Sequence, residues 1–151
     1  MAHAIFFAFL LIASGIFAGL EIQAEGKNGW AADFPTWRIK NKWTKFFLGG
    51  KPLTGYHLFF MLFMTFIVHM PYALSIIPFT WASELRIIAF LVLFFVIEDF
   101  LWFVFNPSYG MKKFKPEYIW WHAVNWWGPV PRDYWLFVPI GIAVYVLSYM
   151  V

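Results

Sequence analysis

Between Pro52 and Ser83 the chain carries no Asp, Glu, Lys or Arg, and three further apolar stretches of comparable length flank that gap. A segment of this kind has few choices. A hydrocarbon core about 30 Å thick is crossed by roughly 20 apolar residues in a helix, and only helices or closed barrels satisfy their backbone polar groups inside it. The pattern predicts an all-α integral membrane protein: a four-transmembrane-helix bundle with spans at about 4–21, 54–79, 83–106 and 134–151. The first closes at Glu21, and the third starts from Ser83 as a candidate N-cap and stops at Asn106-Pro107. The fourth begins at Tyr134 and bends near Pro139. Charged residues are 13% of the chain, against about 25% in soluble domains, and mean hydropathy is +0.68. No polar segment is long enough for a core of its own, so residues 1–151 form a single membrane domain. The Met-Ala-His-Ala start lacks the basic residues of a signal peptide and reads as the beginning of a retained helix.

Four spans place both termini on one side and two long loops on the other. Those loops, about 22–53 and 107–133, hold Lys27, Arg38, Lys40, Lys42, Lys45, Lys51, Lys112, Lys113, Lys115 and Arg132, whereas Arg86 alone lies toward the opposite face. The asymmetry predicts a plasma-membrane protein with outward termini and cytoplasmic long loops. It also makes the net charge of +3 a matter of topology, so nucleic acid is not an expected partner. Each loop is expected to carry an interfacial amphipathic helix: Thr36–Leu48, where aromatics interleave with cations, and Pro116–Trp127. In the second, Tyr118, Trp121, His122 and Asn125 would share one face over the mouth of the bundle.

Glu98 and Asp99 lie inside the third span. A carboxylate there costs roughly 2.5–3.5 kcal/mol on insertion scales, and intramembrane acids mark functional sites by default. Their rotation of about 100° from each other means that they point differently. The structural alternative is an ion pair or a carboxyl kept protonated by burial. Other candidate polar groups are His57 near the loop end of the second span, His69 deeper in it, His122 in the second loop, and Glu21 with Glu25 just beyond. Each has a plain reading as well: His69 as a satisfied core histidine, His122 as an interfacial anchor, Glu21 and Glu25 as solvated residues at a helix end. Together they outline a polar funnel open to the loop side.

With no cysteine in the chain, thiolate catalysis, iron–sulfur clusters and Cys-based zinc sites are excluded. A metal would be held by His and carboxylate, a donor set suited to Zn, Fe or Mn. His-Glu-x-x-His and Glu-x-x-His are absent. The first expectation is therefore a metal-dependent enzyme or binding protein for an amphiphilic, lipid-like molecule. In that reading His57, His69, His122, Glu21, Glu98 and Asp99 are candidate ligands, and Glu98 and Asp99 are the acid–base groups. The alternative is a subunit or assembly factor of a larger membrane complex, whose acids meet a partner's cations. A further alternative is a proton-coupled carrier that titrates Glu98 and works as an oligomer. Membrane lipid, a second copy of the chain or another membrane protein are the partners these readings imply.

Overall fold

The computed structural model describes residues 1–151, and the chain is mostly helical. In order, α1 covers Ala2–Glu25, β1 Arg38–Ile39, α2 Lys42–Phe47, β2 Leu53–Thr54, α3 Gly55–Ala73 and α4 Trp81–Phe105. They are followed by β3 Trp126–Trp127, β4 Val130–Pro131 and α5 Arg132–Leu147. Three helices, α1, α3 and α4, are long and apolar enough to cross a membrane. The fourth helix, α5, has 16 residues and spans about 24 Å at 1.5 Å per residue.

The ends of these helices follow local chemistry. The third apolar helix starts earlier than Ser83, because Thr80 is the N-cap: its Oγ1 accepts from the Ser83 N–H at 3.0 Å, and Ser83 Oγ accepts from the Thr80 N–H at 3.1 Å. This reciprocal pair is a capping box that satisfies two donors at once. Thr54 caps α3 with a single bond, its Oγ1 accepting from the His57 N–H at 3.1 Å. The second apolar run ends as a helix at Ala73 rather than near Phe79, because Ser75 takes a left-handed φ of +55° that breaks the helical ladder. The Ile76 N–H turns back onto the Pro71 carbonyl instead.

Central to the fold is α4, with α1 and α5 packed along it and α3 touching it much less. The buried residues of α1 are Leu10, Ser14, Ala18, Glu21 and Glu25, a stripe spaced by three or four residues that faces α4. Small Ser14 and Ala18 let the two backbones approach, as membrane helix pairs require. On α5 the close contact is Gly141, where a Cβ would stand 2.6 Å from the Leu93 side chain of α4.

Both long loops fold over one end of this bundle. Two short antiparallel ribbons, β1–β2 and β3–β4, return each loop to the next helix. The expected loop helices take a different form. In the first loop only Lys42–Phe47 is helical, capped by Asn41 and Thr44, while Arg38–Ile39 is drawn into the ribbon. The Pro116–Trp127 segment is not an α-helix; it consists of turns and a 3₁₀ turn at Ala123–Asn125. Its side chains diverge to separate anchors that one helical face would not serve. Trp121 stacks on Phe103, His122 reaches Asp99, and the Asn125 amide donates to the Gly49 carbonyl.

The loops also hold each other. Asn106 Nδ2 donates to the Gly26 carbonyl at 2.8 Å, and the Tyr109 hydroxyl donates to the Lys27 carbonyl at 2.8 Å. Gly29, at φ +59°, lies so close to the Trp121 ring that a Cβ would stand 2.3 Å from it. Only glycine meets both demands.

Replacing Gly141 by valine should force α5 away from α4 and cost about 1–3 kcal/mol. The expected outcome is a lower unfolding midpoint in detergent. Gly19→Ala is the control, because nothing lies within 4 Å of its Cβ position.

Candidate functional site

The stripe of α1 that packs on α4 ends in two acids, so the packing that forms the core also delivers Glu21 and Glu25 to the inside of the bundle. Both are buried, as is Glu98 on α4. The three carboxyls line a cavity of about 430 Å³ at the loop end of the bundle. No Lys or Arg forms an ion pair with any of them.

His57 completes this group. One ligand atom each from Glu21, Glu25 and His57 lie within 4.8 Å of one another, and His57 Nε2 is 3.9 Å from Glu25 Oε1. The imidazole is held firmly. Its Nδ1 bonds Thr54 Oγ1 at 2.6 Å, and the ring stacks on Trp30 at 4.0 Å. With Nδ1 occupied, Nε2 is the nitrogen left to face the cluster. The carboxyls are oriented as well: Tyr56 donates to Glu21 Oε1 at 3.0 Å, and the Ala31 N–H donates to Glu25 Oε1. Such outer partners commonly fix metal ligands.

A second polar chain forms another part of the cavity wall. Asp99 accepts from the Tyr134 hydroxyl at 2.5 Å and bonds His122 Nε2 at 3.1 Å. The other ring nitrogen, Nδ1, lies 3.4 Å from Lys51 Nζ, so both nitrogens of His122 are engaged. The Lys51 ammonium is also 3.5 Å from Asp133 and 4.5 Å from the centre of the Trp30 ring. Burial pushes this lysine below its usual range, against the pull of the Asp99 and Asp133 carboxylates.

The two neighbouring acids thus face different partners. Glu98 turns toward α1, while Asp99 serves the second loop and α5. Of the groups singled out in the sequence, Glu21, His57, Glu98, Asp99 and His122 come together around one cavity. His69 does not. It pairs with Glu84 at 3.1 Å near the opposite end of α3 and α4, and its Nδ1 bonds the Thr65 carbonyl.

Glu25, expected as a polar group beside Glu21 but not as a ligand, joins the cluster, and Lys51, Tyr56, Trp30, Trp102 and Tyr134 were not expected at the site. Glu25 carried a signal: residues 10, 14, 18, 21 and 25 share one helical face, so an acid at 25 follows the buried stripe. Lys51 and Trp30 lie in a loop with no period to place them.

Two polar atoms on the cavity wall find no hydrogen-bond partner among the protein's own groups: Glu98 Oε1 and Trp102 Nε1. They belong to residues four apart on α4, hence on one face. Their residues are 6% and 3% exposed. Buried polar groups are nearly always satisfied, so an unpaired acceptor and an unpaired donor one helical turn apart mark a place for something other than protein.

The chain matches no known protein family, no curated protein and no solved structure.

The Asp99–His122 bond anchors the second loop to α4. His122→Ala should cost about 1–3 kcal/mol by leaving Asp99 short of a partner. Hydrogen exchange should quicken across residues 106–131 and remain slow in the middle of α4.

Proposed function

We propose that this chain is an integral plasma-membrane protein whose Glu21–Glu25–His57 cluster holds a divalent metal ion, Zn, Fe or Mn. It serves as a metal-dependent enzyme or binding protein for an amphiphilic, lipid-like molecule. The observation that carries this reading is the convergence of three ligand-bearing side chains within 4.8 Å, next to the unpartnered Glu98 Oε1.

The donor set fits such an ion. Carboxylate and imidazole suit Zn, Fe and Mn, and three buried carboxyls without a lysine or arginine need positive charge from elsewhere. Glu21, Glu25 and His57 would be the ligands, with Glu98 as a fourth ligand or as the base beside the ion. A divalent ion in this position polarises an oxygen bound to it. Glu98 Oε1, free of other bonds, is placed to accept or return a proton. Tyr134 and His122 keep Asp99 occupied, which makes Asp99 a structural and electrostatic element rather than the transfer group.

In this reading α5, together with residues up to Val151, supplies a fourth crossing. The loops lie on the cytoplasmic side, as their ten basic residues favour against Arg86 alone toward the opposite face. The exposed Trp43 and Phe47 rings, stacked on α2 at 5.6 Å, suit the membrane interface. The size of the cavity and its largely apolar wall favour an amphiphile over a small ion as cargo.

Elemental analysis of the detergent-purified protein tests the metal. Near-stoichiometric Zn, Fe or Mn is expected in the wild type and in His69→Ala, and its loss in Glu25→Ala and His57→Ala. Thr54→Val removes the bond that orients His57 and should weaken metal binding about 10–100-fold, whereas Thr54→Ser retains it. A folded wild type that takes up none of the three metals overturns the proposal.

A further inference from the structure

An ion among Glu21, Glu25 and His57 accounts for an orphaned carboxylate oxygen, but it does nothing for an orphaned N–H. Trp102 Nε1 is a donor only, so what faces it must offer an acceptor. The protein supplies none, and a metal cation cannot be one. An oxygen belonging to a bound molecule meets the requirement, and Trp102 is among the residues that line the cavity.

From this head the cavity continues as an apolar groove along α4. Leu91, Val92 and Phe95 form its floor, Met61 of α3 one rim and Phe137 of α5 the other. Seven residues separate Leu91 from Glu98, so the floor runs about 10 Å beyond the polar end. The rims are 46% and 41% exposed at Met61 and Phe137. They lie on helices whose outer faces are apolar, where the surrounding medium is hydrocarbon. The lining therefore runs from the carboxyl–histidine cluster to side chains exposed on α3 and α5, which in a bilayer would meet hydrocarbon.

We infer that the ligand is a single-chain amphiphile whose head presents an acceptor oxygen, drawn laterally from the bilayer between α3 and α5. Its tail lies over Leu91, Val92 and Phe95, and its head oxygen accepts from Trp102 Nε1 beside the metal. The head placement rests on the metal reading above; the tail placement rests on the groove alone.

The test is photo-crosslinking with palmitate carrying a diazirine in its tail, added to the full-length protein in phosphatidylcholine nanodiscs, with labelled residues mapped by mass spectrometry and metal content measured in parallel. Labelling should concentrate on Met61, Leu91, Phe95 and Phe137, well above Phe9, Ile12 and Phe66 on the outer faces of α1 and α3. Trp102→Phe keeps an aromatic ring and removes the donor; it should weaken saturable labelling about tenfold, the equivalent of 1.4 kcal/mol, without loss of metal. Leu91→Trp should block the groove, and Met61→Ala should leave it open. Labelling spread evenly over all outer faces, or unchanged in both Leu91→Trp and Trp102→Phe, overturns the inference. Groove labelling in a protein that binds no metal overturns the metal centre and leaves the tail assignment standing.

Discussion

The contact between α1 and α4 is what the loop end of the molecule depends on. It is made by small and apolar side chains, Leu10, Ser14 and Ala18 on one side and Leu93, Phe94 and Phe103 on the other. Little in that contact is polar; Ser14 Oγ donates to the Phe94 carbonyl at 3.4 Å. Membrane helices gain no hydrophobic stabilisation from one another in lipid, so close packing carries the association. Because the stripe continues in register to Glu21 and Glu25, the same packing that assembles the bundle draws two acids out of the interface and sets them beside Glu98. The site is thus a product of helix register, and its acids cannot be moved apart without separating the helices.

Around that core, the two loops behave as one cap. Glycine at 29 admits Trp121, Trp121 stacks on Phe103 at 5.7 Å, and His122 follows it down to Asp99. Trp30 and Lys51 come from the other loop and meet the same wall. Aromatic stacking and backbone carbonyl bonds do most of the joining, through Tyr109, Asn106 and Asn125, and the charges are reserved for the interior. This division explains how an irregular segment of some 25 residues is held in place with hardly any regular secondary structure.

Apolar run length made α1, α3 and α4 legible in the sequence, as did the stop at Asn106-Pro107. Helix starts were less so: Ser83 looked like a cap because it is the first small polar residue before the charged Glu84, yet it is the reciprocal half of a box opened by Thr80. The loops were misread for a physical reason. Tyr118, Trp121, His122 and Asn125 have helical spacing, but spacing states only that a helix would align them. Trp121, His122 and Asn125 are each satisfied by a separate partner in α4 or the first loop, and tertiary contacts override the periodicity. Glu98, Asp99, His57, Glu21 and His122 were recognisable because ionisable groups in apolar surroundings stand out. His69 stood out equally, but Glu84, fifteen residues on, supplies its partner after the chain reverses. Partners that depend on such a reversal have no local signature.

The hydrogen bonds of α3 to the bundle lie at its two ends, while Phe60 and Met64 pack against the Leu10, Leu93 and Phe94 cluster between them. Tyr56 and Phe60 fasten one end, through Glu21 and through the face-to-face ring of Phe17 at 4.0 Å. His69 and Tyr72 fasten the other, through Glu84 and Ser83. Mechanically this is a beam pinned at two points, and Pro71 beside the far pin already lacks one rung of the helical ladder. Between the two fastenings apolar packing alone holds α3 against the bundle. A chain lying between α3 and α5 would displace apolar contacts only and leave both polar fastenings, and the groups at the polar end, in place.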